Sequence, residues 1–280
     1  MEPFEQYRPL LFSIAYRMLG SAMEAEDIVQ ETYVRYSAVP PESVESLKPF
    51  LATITTRLCL DQLKSAREKR ETYIGPWLPE PMRTDTTALQ VGDMESLSMA
   101  FLVLLESLSP AERAVFLLRE VFDYEYGEIA EMLEKDEAAC RQLFSRAKRH
   151  ITEHRPRYKS SREEHERIMG SFMQAVGEGE IDGFTHLLAE DVIWTSDGGG
   201  KVTATTRPVV GREKVAALYK GLQRKAAADI VYEVADVNGR PAIIIRQNNS
   251  VFGVMTLEIG DGKIQAIHYV ANPDKLGRLL

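Results

Sequence analysis

The residues best suited to chemistry lie in YGEIAEMLEKDEAACRQLFSRAKRHI, residues 126–151. Arg141, Gln142, Ser145, Arg146, Lys148 and Arg149 fall on one side of a helical pattern. Forked guanidinium donors match guanine edges, an amide matches adenine, and point charges match phosphate. Ile129, Ala130 and Leu133 can pack a short support helix, and Asp136 can cap the next one. Ala139, Cys140, Leu143, Phe144 and Ala147 then supply the second helix with its buried side. The pattern predicts a helix-turn-helix in which Arg141, Gln142 and Ser145 read base edges while Arg146, Lys148 and Arg149 grip the backbone. The alternative is an ordinary helical hairpin with a basic, solvated face.

Other reactive side chains are less organised. Asp197, His186, His268 and Tyr269 are the acid–base candidates of the last third, but no spacing forces a carboxylate onto a histidine. His268 and Tyr269 fall in a strand pattern and must point to opposite faces. No catalytic residue is expected. Cys59 and Cys140 stand alone inside helical patterns, with no CxxC or Cys/His companion, so the sequence predicts neither disulfide nor metal site nor cofactor. Both read as small core fillers.

The elements that must carry these residues follow from charge and periodicity. The chain has 280 residues and a net charge of -8, yet residues 136–162 hold eight bases against three acids. This local excess of cations is a footprint for phosphate. Usage is otherwise that of a soluble globular protein, long enough for two or three domains. No apolar run approaches a membrane span, and the acidic, proline-containing amino terminus lacks a secretion pattern, so a cytoplasmic location without membrane contact is expected. Residues 4–70 read as helices, with a long one from Lys48 to Arg70. Thr72 to Gly92 is proline-broken and reads as an extended linker. Helices resume near Glu95, with Ser109, Pro110 and Glu112 forming a cap, a first-turn proline and a capping-box acid. A polar, basic stretch follows. The last third predicts helices at about 163–190 and 211–226 around the strands AIIIRQ, SVFGVMTLEI and KIQAIHYV. Asn238-Gly239, Asn248-Asn249 and Asp261-Gly262 mark their turns. A curved antiparallel sheet with helices on one face is expected, an α+β layer able to enclose a pocket.

The two helical blocks together resemble a bacterial extracytoplasmic-function sigma factor. EAEDIVQETYVRY resembles the region 2 helix that docks on the polymerase clamp. PFLATITTRLCLDQLKSARE resembles the helices that melt and read the minus-ten element. SPAERAVFLLREVFDYEYGEIAEMLEKDEAACRQLFSRAKRHI resembles region 4, which binds the minus-35 element. GPWLPEP, DGGGK and NPDKL narrow the resemblance to the SigJ-type, group 41 members, which carry a SnoaL-like domain of the NTF2 superfamily.

The resemblance implies a multidomain chain with two all-α sigma domains and an α+β NTF2-like carboxyl-terminal domain. Region 2 would span 1–71, the WLPEP linker 72–93, region 4 94–153, a basic linker 154–162 and the SnoaL-like domain 163–280. Core polymerase, through its beta-prime clamp and beta flap, and promoter DNA would be the partners, with a small-molecule ligand in the carboxyl-terminal pocket as a further one. Asp27, Gln30, Glu31, Tyr33 and Arg35 would meet the clamp. Thr53, Thr56, Arg57, Lys64 and Arg67 would meet the minus-ten strand or its phosphates; Arg57 stands where the family pattern has Asn. Trp77, Leu78, Pro79, Glu80 and Pro81 of the linker, Asp197, Gly198, Gly199, Gly200 and Lys201, and Asn272, Pro273, Asp274, Lys275 and Leu276 would form regulatory contacts in place of a separate anti-sigma protein. Two other classes fit parts of the chain: a ligand-sensing helix-turn-helix regulator, and a SnoaL-like isomerase or cyclase fused to a helical adaptor.

Overall fold

The computed structural model describes residues 2–84, 94–154, 160–178, 180–225 and 229–279. The chain divides into two compact units: Met1–Thr72 with Thr87–Arg155, and Tyr73–Thr86 with Pro156–Leu280. The proline-rich linker therefore belongs with the carboxyl-terminal unit. The described part of that stretch, residues 73–84, packs there through the Leu78, Met82 and Thr84 amides.

In the first unit a short helix α1 (Glu2–Glu5) precedes α2 (Arg8–Leu19), α3 (Ala22–Ser37) and α4 (Leu47–Glu71). Gly20 ends α2 in the left-handed conformation at φ 69°, which glycine reaches without a Cβ penalty. Ser21 then caps α3 by accepting from the Glu24 amide. Leu11, Ile14, Tyr16, Ala25, Val29, Leu51 and Cys59 are buried among these helices. The other half holds α5 (Met99–Glu106), α6 (Pro110–Phe116), α7 (Tyr126–Leu133) and α8 (Glu137–His154). The capping box of Ser109 and Glu112 forms as the spacing required. Asp136 caps α8 by accepting from the Ala139 amide at 2.7 Å.

The two halves share one interior. Arg113 on α6 is buried and donates to the Met18 carbonyl of α2 at 2.6 Å. In return Arg17 of α2 is buried, donates to Ser96 Oγ at 2.9 Å and lies over the Phe122 ring. Burial without a full set of partners pulls the Arg113 guanidinium down to about 10.

The second unit packs α9 (Arg162–Glu178), α10 (Ile181–Leu187) and α11 (Arg212–Lys225) on a six-stranded sheet. Its strands are β1 (Leu188–Asp197), β2 (Val209–Val210), β3 (Ile230–Val237), β4 (Arg240–Gln247), β5 (Ser250–Gly260) and β6 (Lys263–Val270), in the order β2-β1-β6-β5-β4-β3. Asn238, Asn248, Asn249 and Asp261 take positive φ at the three hairpin turns, the conformation those turns demand. Two expectations are corrected. The sheet is not wholly antiparallel, since β1 runs parallel to β6. The helix expected to reach residue 190 stops at Leu187, because the chain from Asp191 to Ser196 alternates between outward and buried positions and Leu188–Asp197 pairs as a strand.

Candidate nucleic-acid surface and linker dock

Helix α8 buries Cys140, Ala147 and Ile151, which turns the opposite side outward. Arg141, Gln142, Ser145 and Arg149 are exposed there, spaced so that they share one face over two turns. Arg141 is held in place: its guanidinium lies 4.4 Å over the Tyr126 ring and pairs with Glu137 at 2.8 Å. Arg119 stacks on the same ring and pairs with Glu125. Arg146 and Lys148 are exposed too, but lean back to acids of their own domain, Glu112 at 3.1 Å and Glu120 at 3.0 Å. Hydrogen bonds from Ser109, with Arg146 beside it, hold Glu112 below the ordinary carboxylate range against the opposing effect of burial. Tyr126 was not singled out from the sequence; an aromatic residue at the first position of the support helix is its only signal.

On α3, Asp27, Gln30, Glu31 and Arg35 are exposed, and Arg35 pairs with Glu31 at 2.9 Å. Tyr33 packs edge-on against Phe4. Met23 and Val34 are exposed on the same helix, at 59% and 58%. The sequence reading missed both, although 23, 27, 30 and 34 follow helical spacing and make a mixed apolar and polar stripe.

The expected minus-ten set is not displayed as a surface. Thr56 is fully buried, and Thr53 bonds back to the Pro49 carbonyl of its own helix. Lys64 pairs with Asp61, and the Arg67 side chain lies outside the described residues. Arg57 reaches α7, where it donates to the Met132 and Glu131 carbonyls at 2.9 Å each and pairs with Glu134 at 2.8 Å. Its position on α4 aims it at the carbonyl end of a helix, which attracts cations. Of the described members of this set, Thr56 is enclosed and Arg57 is engaged within the chain, while Lys64 is exposed.

In the second unit the three motifs meet. Asp197 ends β1, is fully buried, and receives four donors. Oδ1 accepts from the Tyr73 hydroxyl at 2.6 Å and the Gly199 amide at 3.0 Å. Oδ2 accepts from the Leu78 amide at 2.9 Å and Lys275 Nζ at 2.7 Å. Lys275 also donates to the Leu78 carbonyl at 2.5 Å and sits 4.0 Å over the Trp77 ring. Asn272 caps the short turn after β6 and donates to the Tyr73 oxygen at 2.9 Å. Gly199 has φ +60°, and a Cβ there would stand 2.4 Å from the Asn272 amide nitrogen, so the loop needs glycine twice over. Lys201 closes the outside by pairing with Asp274. Leu78, Pro79, Glu80 and Pro81 are buried, as is Leu276. Further along, Met82 and Asn238 exchange two hydrogen bonds. Tyr73, whose phenol is pushed well up by burial and by Asp197, and Asn238 are members of this dock that the sequence did not reveal.

The acid–base candidates do not assemble. Asp197 is spent on the linker, His186 is exposed on α10, and His268 is buried with its pKa down at about 4. Tyr269 alone lines a cavity of about 370 Å³, together with Phe172, Trp194, Tyr219, Tyr232 and Met255. The described lining residues include no carboxylate, histidine, lysine or arginine. Burial raises the Tyr269 phenol to about 12 and the Tyr219 and Tyr232 phenols in the same direction. No group of histidine, cysteine and acid side chains able to hold a metal occurs among the described residues. Nor is any described helix long and apolar enough to cross a membrane.

A helical module with an outward polar recognition helix, joined to a second helical module and an α+β body that holds the intervening chain, defines the class: a sigma factor with an appended α+β domain. Residues 3–69 match Sigma-70 region 2 and residues 98–151 match Sigma-70, region 4. The chain is 36% identical to the ECF RNA polymerase sigma factor SigJ of Mycobacterium tuberculosis, over 97% of this chain and 91% of that protein. It is 32% identical to the probable ECF RNA polymerase sigma factor SigI of the same species, over 98% and 93%. The crystal structure of Mycobacterium tuberculosis SigJ superposes with a TM-score of 0.77 at 32% identity, covering 98% of this chain and 97% of that one. The chain belongs to the extracytoplasmic-function RNA polymerase sigma factors. It is thus an initiation factor that binds core RNA polymerase and directs promoter-specific transcription.

Proposed function

We propose a division of labour among the residues described above. The α3 stripe of Asp27, Gln30, Glu31 and Arg35, with Met23 and Val34, binds the beta-prime clamp, and region 4 seats on the beta flap. Arg141, Gln142 and Ser145 read minus-35 base edges while Arg149 meets phosphate. Lys64, Arg67 and Arg57 serve the minus-ten strand once region 2 is free to engage it. The linker dock at Asp197 and Lys275 regulates these activities from within the chain, in place of a separate anti-sigma protein. Such a tether keeps even a weak contact occupied, at about millimolar local concentration. Its cavity, apolar with phenol and amide hydrogen-bonding groups, suits the binding of a neutral small molecule rather than its turnover, because general acid–base chemistry needs a group that titrates near the working pH. The site of action is the cytoplasm.

The observation that carries this reading is the outward face of α8, with Arg141 preset on Tyr126. Run-off transcription by purified core polymerase on a promoter library tests it. Specific initiation that depends on this chain, and loses its base preference in Arg141→Ala, is expected. Initiation with unchanged preference would remove Arg141 as a reader.

A further inference from the structure

We propose that Arg57 is a latch that keeps region 2 closed on region 4, so that the protein must open before it can span a promoter. The guanidinium spends all three of its nitrogens on one target, the carboxyl end of α7: Nε on the Met132 carbonyl, Nη2 on the Glu131 carbonyl and Nη1 on Glu134. Glu134 is in place because it terminates α7 in the left-handed conformation, at φ 53°. The last carbonyls of a helix lack intrahelical partners and carry partial negative charge, so a cation is the natural occupant.

Size makes the closed arrangement incompatible with promoter engagement. The first unit has roughly 140 residues and folds to a radius of gyration of about 14 Å, a body about 40 Å across. The minus-ten and minus-35 elements are roughly 25 base pairs apart, about 85 Å along the duplex. A unit with α4 and α7 in hydrogen-bonding contact cannot reach both. Thr56 buried and Arg57 occupied say the same of the minus-ten residues. The carbonyls and Glu134 offer the guanidinium what a phosphate offers it, acceptor oxygens and negative charge, so latch and nucleic acid compete for one group. The inference rests on the proposed minus-ten role of α4 only for that competition, not for the latch itself.

The test is single-molecule energy transfer in the full chain, with dyes on cysteines placed at the exposed positions Ser37 and Glu153. The native Cys59 and Cys140 are buried and their thiols are pushed up, so they label slowly. Arg57→Met should raise the low-transfer population of the free protein about tenfold, the scale of losing charge-assisted hydrogen bonds. Glu134→Gln, which leaves Arg57 free for DNA, should raise it by a smaller factor. With core polymerase added, both variants should convert to the low-transfer form at lower polymerase concentration, because binding selects the open state. Arg8→Met, which removes an arginine paired with Glu26 inside region 2, should change neither readout. A free-protein distribution identical in Arg57→Met and the parent overturns the latch. Failure of every form to bind polymerase overturns the functional reading instead, and leaves the transfer change in the free protein standing as evidence for the latch.

Discussion

Replacing Lys275 by Met should release the linker from its dock. The ammonium is about 90% buried, donates to Asp197 and the Leu78 carbonyl, and covers the Trp77 ring. Methionine keeps the length of the stem but strands a buried carboxylate, which costs about 3–5 kcal/mol in comparable pairs. That is a shift of roughly two to four decades in the docking equilibrium, at about 1.36 kcal/mol per decade. The chain has two tryptophans, Trp77 in the dock and Trp194 in the sheet core, so Trp194→Phe leaves Trp77 as the only indole. In that background Lys275→Met should red-shift emission and raise acrylamide quenching to the level of an exposed indole. Adding Asp197→Asn should recover part of the loss, since it removes the stranded charge, and the double-mutant cycle measures the coupling. If quenching in the Lys275→Met chain equals that of its parent, Lys275 does not hold the linker, and the buried pair is incidental to docking.

Gly199→Ala should undock the same segment by a different route, because its Cβ meets Asn272 and its φ disfavours any side chain; the same quenching assay reads it. Acid should weaken the carboxyl-terminal unit through His165 and His268, both buried and held near 4 against about 6.5 when unfolded. Above pH 6.5 both states hold neutral imidazoles and nothing changes; below it the unfolded chain binds protons that the folded one refuses. Each imidazole then costs about 2 kcal/mol at pH 5, which urea titrations at pH 7 and 5 should show, and His268→Gln should reduce. Arg149→Ala should lower the log–log salt slope of promoter binding by about 0.9, the value for one phosphate, whereas Gln142→Ala should alter base preference and leave the slope in place.

Two helix starts were legible because each carries its own punctuation. Ser109 with Glu112, and Asp136 before α8, satisfy amides within a few residues, so local chemistry decides them. The hairpins were legible for the same reason, through asparagine and aspartate at positive φ. The parallel pairing of β1 with β6 was not, since its partners are some 75 residues apart and no turn residue encodes a crossover. The dock was half legible. DGGGK and NPDKL named its loops, but Tyr73 joins only because Asp197 and Asn272 converge on its hydroxyl, a contact across nearly 200 residues. The engagement of Arg57 with α7 was not legible, because a basic residue on such a helix has two good anions to choose from, and sequence cannot say that one is supplied by the chain itself.

Intramolecular acids also resolve the paradox of an acidic protein that binds DNA. Of the cations on or beside the recognition helix, Arg119, Arg141, Arg146 and Lys148 each have a carboxylate at hand, from Glu125, Glu137, Glu112 and Glu120. These exposed pairs add little stability, about 0–1 kcal/mol each. Their effect is on recognition. A phosphate offered by arbitrary DNA must displace a carboxylate already in place, so the gain from counterion release is reduced for every sequence alike. On the reading proposed above, a correct base edge adds bidentate hydrogen bonds to an Arg141 that Tyr126 and Glu137 have already oriented, and so loses little side-chain entropy. Acidic residues placed beside the reading face therefore lower non-specific affinity more than specific affinity. That is the arrangement expected of a factor that must leave most of the genome alone and be directed to its sites by a larger enzyme.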